Sequence, residues 1–214
     1  LTPLCAKAVQ IAGALAKRSN AELVLVHIND SGKNPEKLKT ELAKFSVHVP
    51  EGVLTENHLV DGVFFSVIPT VIQDIEAELV VVPTHGKVGL MQNLFGANIL
   101  KLVKQIPAPT LVVQEQSIVP ENGYNRLLFP VGPHDNFDVK YKQTANFAKI
   151  FDAKVIIYTV RNDMRGISDE IRTNINNSKQ YFKENAVAYE EVSEEPESYS
   201  IGYAKHILGY AKTS

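Results

Sequence analysis

One stretch, from Ala77 to Gln114, constrains the fold more than any other part of the chain. Leu79–Val82 is a short apolar run rich in β-branched residues, which predicts a strand buried on both faces. The segment from Pro83 to Gly86 is expected to end that strand, because proline lacks an amide donor and glycine allows a turn. Asn98 to Gln105 has helical spacing, and Thr110–Val113 predicts a second buried strand. The order is therefore strand, glycine-rich loop, helix, strand.

This order of elements is the one with which α/β proteins hold phosphate. The amides of the glycine loop point at the anion, and the helix N-terminus adds partial positive charge. The loop is followed by a helix whose apolar residues share one face, while Lys101 and Lys104 lie on the other. The glycines of the loop are Gly86, Gly89 and Gly96.

The sequence THGKVGLMQNLFGANILKLVKQIPAPTLVV, residues 84–113, resembles the universal stress proteins, including the Pro-x-Pro before the last strand. Members of this family carry Gly-x2-Gly-x9-Gly-Ser/Thr as an ATP loop, so the resemblance implies a nucleotide site. It also implies that residues near the end of the second strand of the domain contact adenine or ribose. The implied site residues are Pro83, Thr84, His85, Gly86, Gly89, Gly96, Ala97, Asn98, His27 and Ile28.

Two of the four signature positions depart from the family pattern. Pro83 replaces the first glycine and removes an N–H, and Ala97 replaces the hydroxyl residue that contacts phosphate. Each hydrogen bond to a charged group contributes about 1.5–3 kcal/mol, so the losses weaken ATP binding by about ten- to a thousandfold. The glycines then serve either a weakened ATP site or only the turn and the packing of helix on sheet. His27 has the same two interpretations, a ligand contact or a strand-end histidine with its own hydrogen bond.

The remaining chain repeats the same kind of unit. A shift of 132 residues lays Leu15-Ala16-Lys17 on Phe147-Ala148-Lys149, and the strand Leu23–Ile28 on Val155–Val160. We therefore predict an α/β fold of tandem doubly wound parallel sheets, which the resemblance identifies as Rossmann-like and adenine nucleotide alpha hydrolase-like. The predicted division is residues 1–116 as the first universal stress protein unit, 117–125 as a linker, and 126–214 as the second.

Each predicted unit lacks part of the family pattern. The second begins with a strand, Arg126–Val131, whose counterpart in the first would precede Leu1. The family's adenine-contacting Asp follows that strand, and Gly132 stands at its place in the second unit. We expect the native protein to have a strand before Leu1 and a strand, loop, helix and strand after Ser214.

Composition excludes several classes of function. The net charge of −2 gives no reason to expect nucleic acid or an anionic membrane as partner, and no apolar run reaches the ~20 residues of a membrane span. The single cysteine, Cys5, and scattered histidines predict no disulfide and no metal site. The acidic run from Glu190 to Glu197 favours a solvated strand end and loop over a metal site. The cytoplasm is the expected location.

Three functions remain open from the sequence. The first is a non-enzymatic stress or regulatory protein with weak or lost ATP binding, and the second is a competent ATP-binding member. The third is an ATP-hydrolysing or nucleotidyl-transferring enzyme, which is disfavoured because no catalytic residue is identified around the loop. Thr110–Val113 is the last strand of its unit, so we expect it to lie at a sheet edge and to pair in self-association or in an intramolecular pseudo-dimer.

Overall fold

The computed structural model describes residues 2–83, 100–120, 123–161, 166–195 and 203–213. The chain divides into two compact units, Leu1–Val119 and Pro120–Ser214. The division falls inside the segment 117–125 that the sequence predicts as a linker. Among the described residues, no helix has the length and apolar character needed to span a membrane.

Unit 1 alternates helices and strands in the predicted order. Its elements are α1 (Pro3–Ser19), β1 (Leu23–Asn29), α2 (Pro35–Ala43), β2 (Thr55–Asp61), α3 (Phe64–Asp74), β3 (Val80–Pro83), α4 (residues 100–105) and β4 (Thr110–Val113). The helix α1 buries a stripe that includes Leu4, Ile11 and Leu15, as its periodicity predicts. It ends at Asn20, whose left-handed φ of 53° is tolerated by asparagine.

The strands of unit 1 form two parallel pairs, β1 with β2 and β3 with β4. Both pairs pack on one hydrophobic cluster, because partly buried side chains of β1 and β3 contact the same buried residues. That cluster consists of Ile28, Ile68, Ile72, Leu102 and Ile106. Parallel strands with helical crossovers confirm the predicted α/β class.

Unit 2 contains one three-stranded parallel sheet in the order β5-β6-β7. Its elements are β5 (Arg126–Pro130), α5 (Phe137–Phe151), β6 (Lys154–Val160), α6 (Asp169–Glu184), β7 (Tyr189–Glu194) and α7 (Tyr203–Thr213). The central strand β6 is almost completely buried from Val155 to Thr159. Ser168 caps α6 by accepting a hydrogen bond from the amide of Ile171.

One local prediction differs from the structure. Pro83 is the last residue of β3 and not the residue after it, because its missing N–H would face away from β4 and costs no hydrogen bond to that strand. Two further local features are visible in unit 1. The helix α2 ends at Ala43 and is followed by a 3₁₀ helix over Lys44–His48, and Pro69 lies inside α3.

The acidic run is exposed to solvent, and four of its carboxylates have specific partners. Glu190 accepts hydrogen bonds from Arg126 and Lys154, and Glu191 pairs with Lys179 at 2.8 Å. Glu195 pairs with Arg161 at 2.7 Å, and Glu194 accepts the hydroxyl of Tyr158. Glu190 and Glu191 lie within β7 between basic residues of neighbouring elements and remain exposed to solvent, so their ion pairs are surface contacts.

Candidate functional site

The carboxyl ends of β1, β2 and β3 form the candidate site of unit 1. In open parallel sheets, ligands bind outside the carboxyl ends of the strands, at the point where the connections from two neighbouring strands run in opposite directions. Here β1 pairs with β2 on one side and β3 pairs with β4 on the other. The position between the ends of β1 and β3 therefore corresponds to such a switch point.

His27 lies two residues before the end of β1 and is half-buried. Burial lowers the pKa of His27 below its ordinary value, with Lys33 acting in the same direction and Asp30 opposing it. Its imidazole is therefore favoured in the neutral form, which can donate from one nitrogen and accept at the other. No hydrogen bond to the His27 side chain is found among the described residues, although a hydrogen-bonded strand-end histidine was one of its two interpretations.

Ile28, the second predicted residue on β1, belongs to the hydrophobic core. Its side chain is 7 % exposed and contacts the cluster that α3 and α4 line. A ligand at the strand ends could reach only its main chain. The apolar character of the residue already indicates this placement, because an isoleucine at a strand end more readily completes a core than contacts a polar nucleotide.

Pro83 ends β3 in register with Val113 of β4. The amide of Val80 donates to the carbonyl of Pro109, and main-chain groups alternate in direction along a strand. The main chain of Pro83 therefore points away from β4, toward the switch point, where it offers a carbonyl acceptor and no N–H donor. The predicted site residues Thr84, His85, Gly86, Gly89, Gly96, Ala97 and Asn98 lie outside the described residues.

A polar connection between β1 and β2 was missed by the sequence-based interpretation. Asn29, only 5 % exposed, donates to Asp61 Oδ1 at 2.7 Å and to the carbonyl of Lys33 at 3.0 Å. Its own carbonyl oxygen Oδ1 accepts from the Lys33 amide at 3.0 Å. Asn29 and Asp61 are register partners at the ends of their strands. The available signal was an Asn and an Asp each ending a predicted strand, but only the register brings them together.

Gly62 follows Asp61 and fixes how the chain leaves β2. Its φ of 140° is a conformation that side chains disfavour, and a Cβ added there would lie 2.7 Å from Cγ1 of Val67. Its amide donates to the carbonyl of Asn29 at 3.4 Å. Asn29, Asp61 and Gly62 thus hold the ends of β1 and β2 together, with one carboxylate at the exposed rim.

The corresponding edge of unit 2 is filled by its own side chains. A Cβ added to Gly132 would lie 3.1 Å from Nε2 of His134, so a side chain there would require the exposed imidazole to shift by a few tenths of an ångström. Asn174 donates to the carbonyls of Gly132 and His134 at 3.1 and 3.4 Å. No group of three metal-ligating side chains occurs in the part of the chain that the structure describes. At the described part of each edge, an asparagine side chain, Asn29 in unit 1 and Asn174 in unit 2, is therefore already hydrogen-bonded to neighbouring main-chain carbonyls.

Sequence and structure comparisons agree with this arrangement. The model of the universal stress protein family matches residues 31–114, which run from the turn after β1 to the end of β4. Residues 31–114 are a universal stress protein domain. A search of curated protein sequences finds no match.

Solved universal stress proteins share the fold. A universal stress protein from Archaeoglobus fulgidus DSM 4304 aligns over 100% of this chain and 78% of its own, with 13% identity and a TM-score of 0.68. A protein assigned to the same family from Pseudomonas aeruginosa UCBPP-PA14 aligns over 95% and 73%, with 15% identity and a TM-score of 0.57. A universal stress protein in complex with cAMP aligns over 51% and 86%, with 20% identity, but its TM-score of 0.42 is too low to inform this chain.

Proposed function

We propose that this protein is a non-enzymatic stress or regulatory protein of the universal stress protein type, with weak or lost binding of ATP. We further propose that both units derive from this family, as the shift of 132 residues between β1 and β6 suggests. The proposal concerns the nucleotide site of unit 1 first, since the matched family domain lies there.

The observation that supports weak binding is the position of Pro83. It ends β3 with its main chain directed toward the switch point, where the family signature has a glycine. Proline supplies no N–H to a phosphate or ribose oxygen and holds φ near −65°. One lost hydrogen bond to a charged group costs about 1.5–3 kcal/mol, or about ten- to a hundredfold in affinity.

The β1 side of the site supports the same conclusion. Ile28 directs its side chain into the core, and the polar atoms of the Asn29 side chain already bind Asp61 and Lys33. A nucleotide would have to compete with these internal hydrogen bonds. Among the described residues at this strand end, only His27 offers a half-buried polar side chain, and its neutral ring does not attract phosphate as a cation would.

Calorimetric titration with ATP and magnesium tests the proposal directly. The unmodified chain is expected to bind in the submillimolar range or weaker. The variant Pro83→Gly/Ala97→Ser restores the N–H and the hydroxyl, and it is expected to bind at least tenfold more tightly if only those groups are missing. Pro120→Gly, outside unit 1, controls for the general effect of replacing proline.

Two results would overturn the proposal. Low-micromolar binding of ATP by the unmodified chain would identify a competent nucleotide-binding protein. Sustained turnover of ATP, measured as released phosphate and abolished by Gly86→Ala, would identify an enzyme. An unchanged weak affinity in the double variant would instead assign the three loop glycines to the turn and to helix packing alone.

Location and assembly complete the proposed function. We propose a cytoplasmic protein, which cell fractionation tests, and self-association through the edge strand β4. That strand pairs with β3 alone among the described strands, and Val112 on it is 36% exposed. Light scattering is expected to show dimers, and Val112→Lys is expected to shift them to monomers. A monomer at all protein concentrations would contradict the self-association.

A further inference from the structure

Three titratable side chains meet in unit 2 where α7 contacts the sheet. Tyr158 on β6 donates its hydroxyl to Oε2 of Glu194, the last residue of β7. The other oxygen of the same carboxylate, Oε1, lies 3.4 Å from Nδ1 of His206 on α7. Tyr158 is 1% exposed, and the side chains of His206 and Glu194 are 12% and 38% exposed. We call these three residues the unit 2 triad.

The equivalent place in unit 1 is apolar. The shift of 132 residues aligns Tyr158 with Val26, and the strand registers of the two units make Glu194 the counterpart of Val60. Both valines pack on the hydrophobic cluster of unit 1. Burial of a polar network carries a desolvation cost that an apolar contact avoids. The triad supplies in exchange what the valines lack, namely side chains whose charge changes with pH.

The protonation state of His206 decides the strength of its contact with Glu194. Burial and the hydrogen bond to Glu194 raise the pKa of Tyr158, so its hydroxyl stays protonated and remains a donor. A neutral imidazole offers the carboxylate one uncharged donor at most, whereas an imidazolium makes a charge-assisted hydrogen bond. Such bonds close to about 2.7–2.9 Å, so the contact at 3.4 Å can shorten on protonation.

The charged groups that follow β6 and β7 pair with each other. Arg161, directly after β6, donates to Oε1 of Glu195, directly after β7, at 2.7 Å. On α7 the ring of Tyr210 packs on the tyrosine of the triad, with the ring centroids 4.9 Å apart. His206 is the cationic partner that the structure gives the carboxylate of the triad.

We propose that the unit 2 triad is a pH-responsive contact that holds α7 more tightly on the sheet when His206 is protonated. Because Glu194 is partly open to solvent, the effect has the size expected of a partly exposed ion pair, a change of about threefold in the docking equilibrium. Docking of α7 therefore strengthens as the pH falls through the range in which histidines titrate, and it weakens as the pH rises. This response is independent of nucleotide binding in unit 1.

Amide hydrogen exchange of the full chain at about pH 5.5 and about pH 7.5 tests the contact, with rates corrected for the intrinsic effect of pH. The amides from Leu208 to Ala211 on α7 are expected to be about threefold more protected at the lower pH. The amides of α5 serve as an internal reference within unit 2, and their protection is expected to change less than that of α7.

Matched variants assign the effect to the triad. Glu194→Gln removes the negative charge and His206→Gln removes the titrating group, so each is expected to abolish the pH dependence of α7 protection. His134→Gln replaces an exposed histidine of unit 2 and is expected to keep it. Tyr158→Phe removes one hydrogen bond but leaves the ion pair, so it is expected to keep it as well. If one of the two glutamine variants of the triad fails to fold, the other provides the test.

Four results would overturn the proposal. The first is equal protection of α7 at both pH values in the unmodified chain. The second is a pH dependence that persists in His206→Gln or in Glu194→Gln. The third is a pH dependence that His134→Gln abolishes as completely as His206→Gln does. The fourth is an equal change in α5 and α7, which would assign the effect to unfolding of the whole unit and not to the docking of α7.

Discussion

The hydrogen bonds of Asn29, including the one to Asp61, are expected to stabilise unit 1. Asn29 is 5% exposed and makes three hydrogen bonds, of which the one to Asp61 spans 2.7 Å. Neutral hydrogen bonds contribute about 0.5–1.5 kcal/mol each, and one to a charged group about 1.5–3 kcal/mol. Because the groups left behind can partly rebind water, we expect Asn29→Ala to lower the free energy of unfolding of unit 1 by about 2–4 kcal/mol.

The variant Asn29→Asp gives a sharper test because its effect depends on pH. The substitution keeps an acceptor for the Lys33 amide but places a second carboxylate against Asp61. Two carboxylates at this distance raise the pKa of the introduced carboxyl in the folded state above its unfolded value. The folded state then binds more protons than the unfolded state, so the destabilisation is largest near pH 7 and decreases as the pH falls toward 4.

The measurement is urea unfolding of Asn29→Ala, Asn29→Asp and the exchange variant Asn29→Asp/Asp61→Asn at several pH values between 4 and 8. The exchange variant restores one amide and one carboxylate, and it is expected to recover part of the lost stability at pH 7. An Asn29→Asp destabilisation that does not change with pH, or no recovery in the exchange variant, would show that these side chains are not in contact.

Three further predictions follow from other contacts. Gly62→Ala is expected to lower the free energy of unfolding of unit 1 by about 2–4 kcal/mol, because of its φ of 140° and because the new Cβ would lie 2.7 Å from Val67. In the double variant with Val67→Ala, the part of this loss that comes from the contact is expected to disappear, while the part that comes from φ remains. Purely additive effects of the two substitutions in urea unfolding would contradict this. Burial lowers the pKa of His27 in the folded state, so the unfolded state binds the proton more tightly and stability decreases as the pH falls from about 6.5 through the lower pKa of the folded state. NMR titration measures that pKa, and His27→Gln is expected to reduce the loss of stability at acidic pH. Tyr158 is 1% exposed and donates to Glu194, so Tyr158→Phe is expected to cost about 1–2 kcal/mol and to speed hydrogen exchange in β7; unchanged exchange would argue against that bond.

The sequence by itself determined the elements and their order. Short apolar β-branched runs become strands because each buries both faces, and Leu23–Asn29 and Lys154–Val160 each extend the strand segments Leu23–Ile28 and Val155–Val160 by one residue. The stretch from β3 to β4 carried the family resemblance, which the family model and the solved structures confirm for fold. These properties are local, since periodicity, prolines and glycines act within a few residues of themselves.

Contacts between residues distant in the chain could be decided only by the tertiary structure. The register of β1 on β2 brings Asn29 to Asp61, and packing of β7 beside β6 gives Glu190 its partners Arg126 and Lys154. Sequence patterns show which face of a strand is apolar, but they do not show which main-chain edge has a neighbour. The pairing of β1 with β2 and of β3 with β4 around one core is therefore visible only in the tertiary structure, because hydrogen bonds between strands depend on separations of tens of residues along the chain.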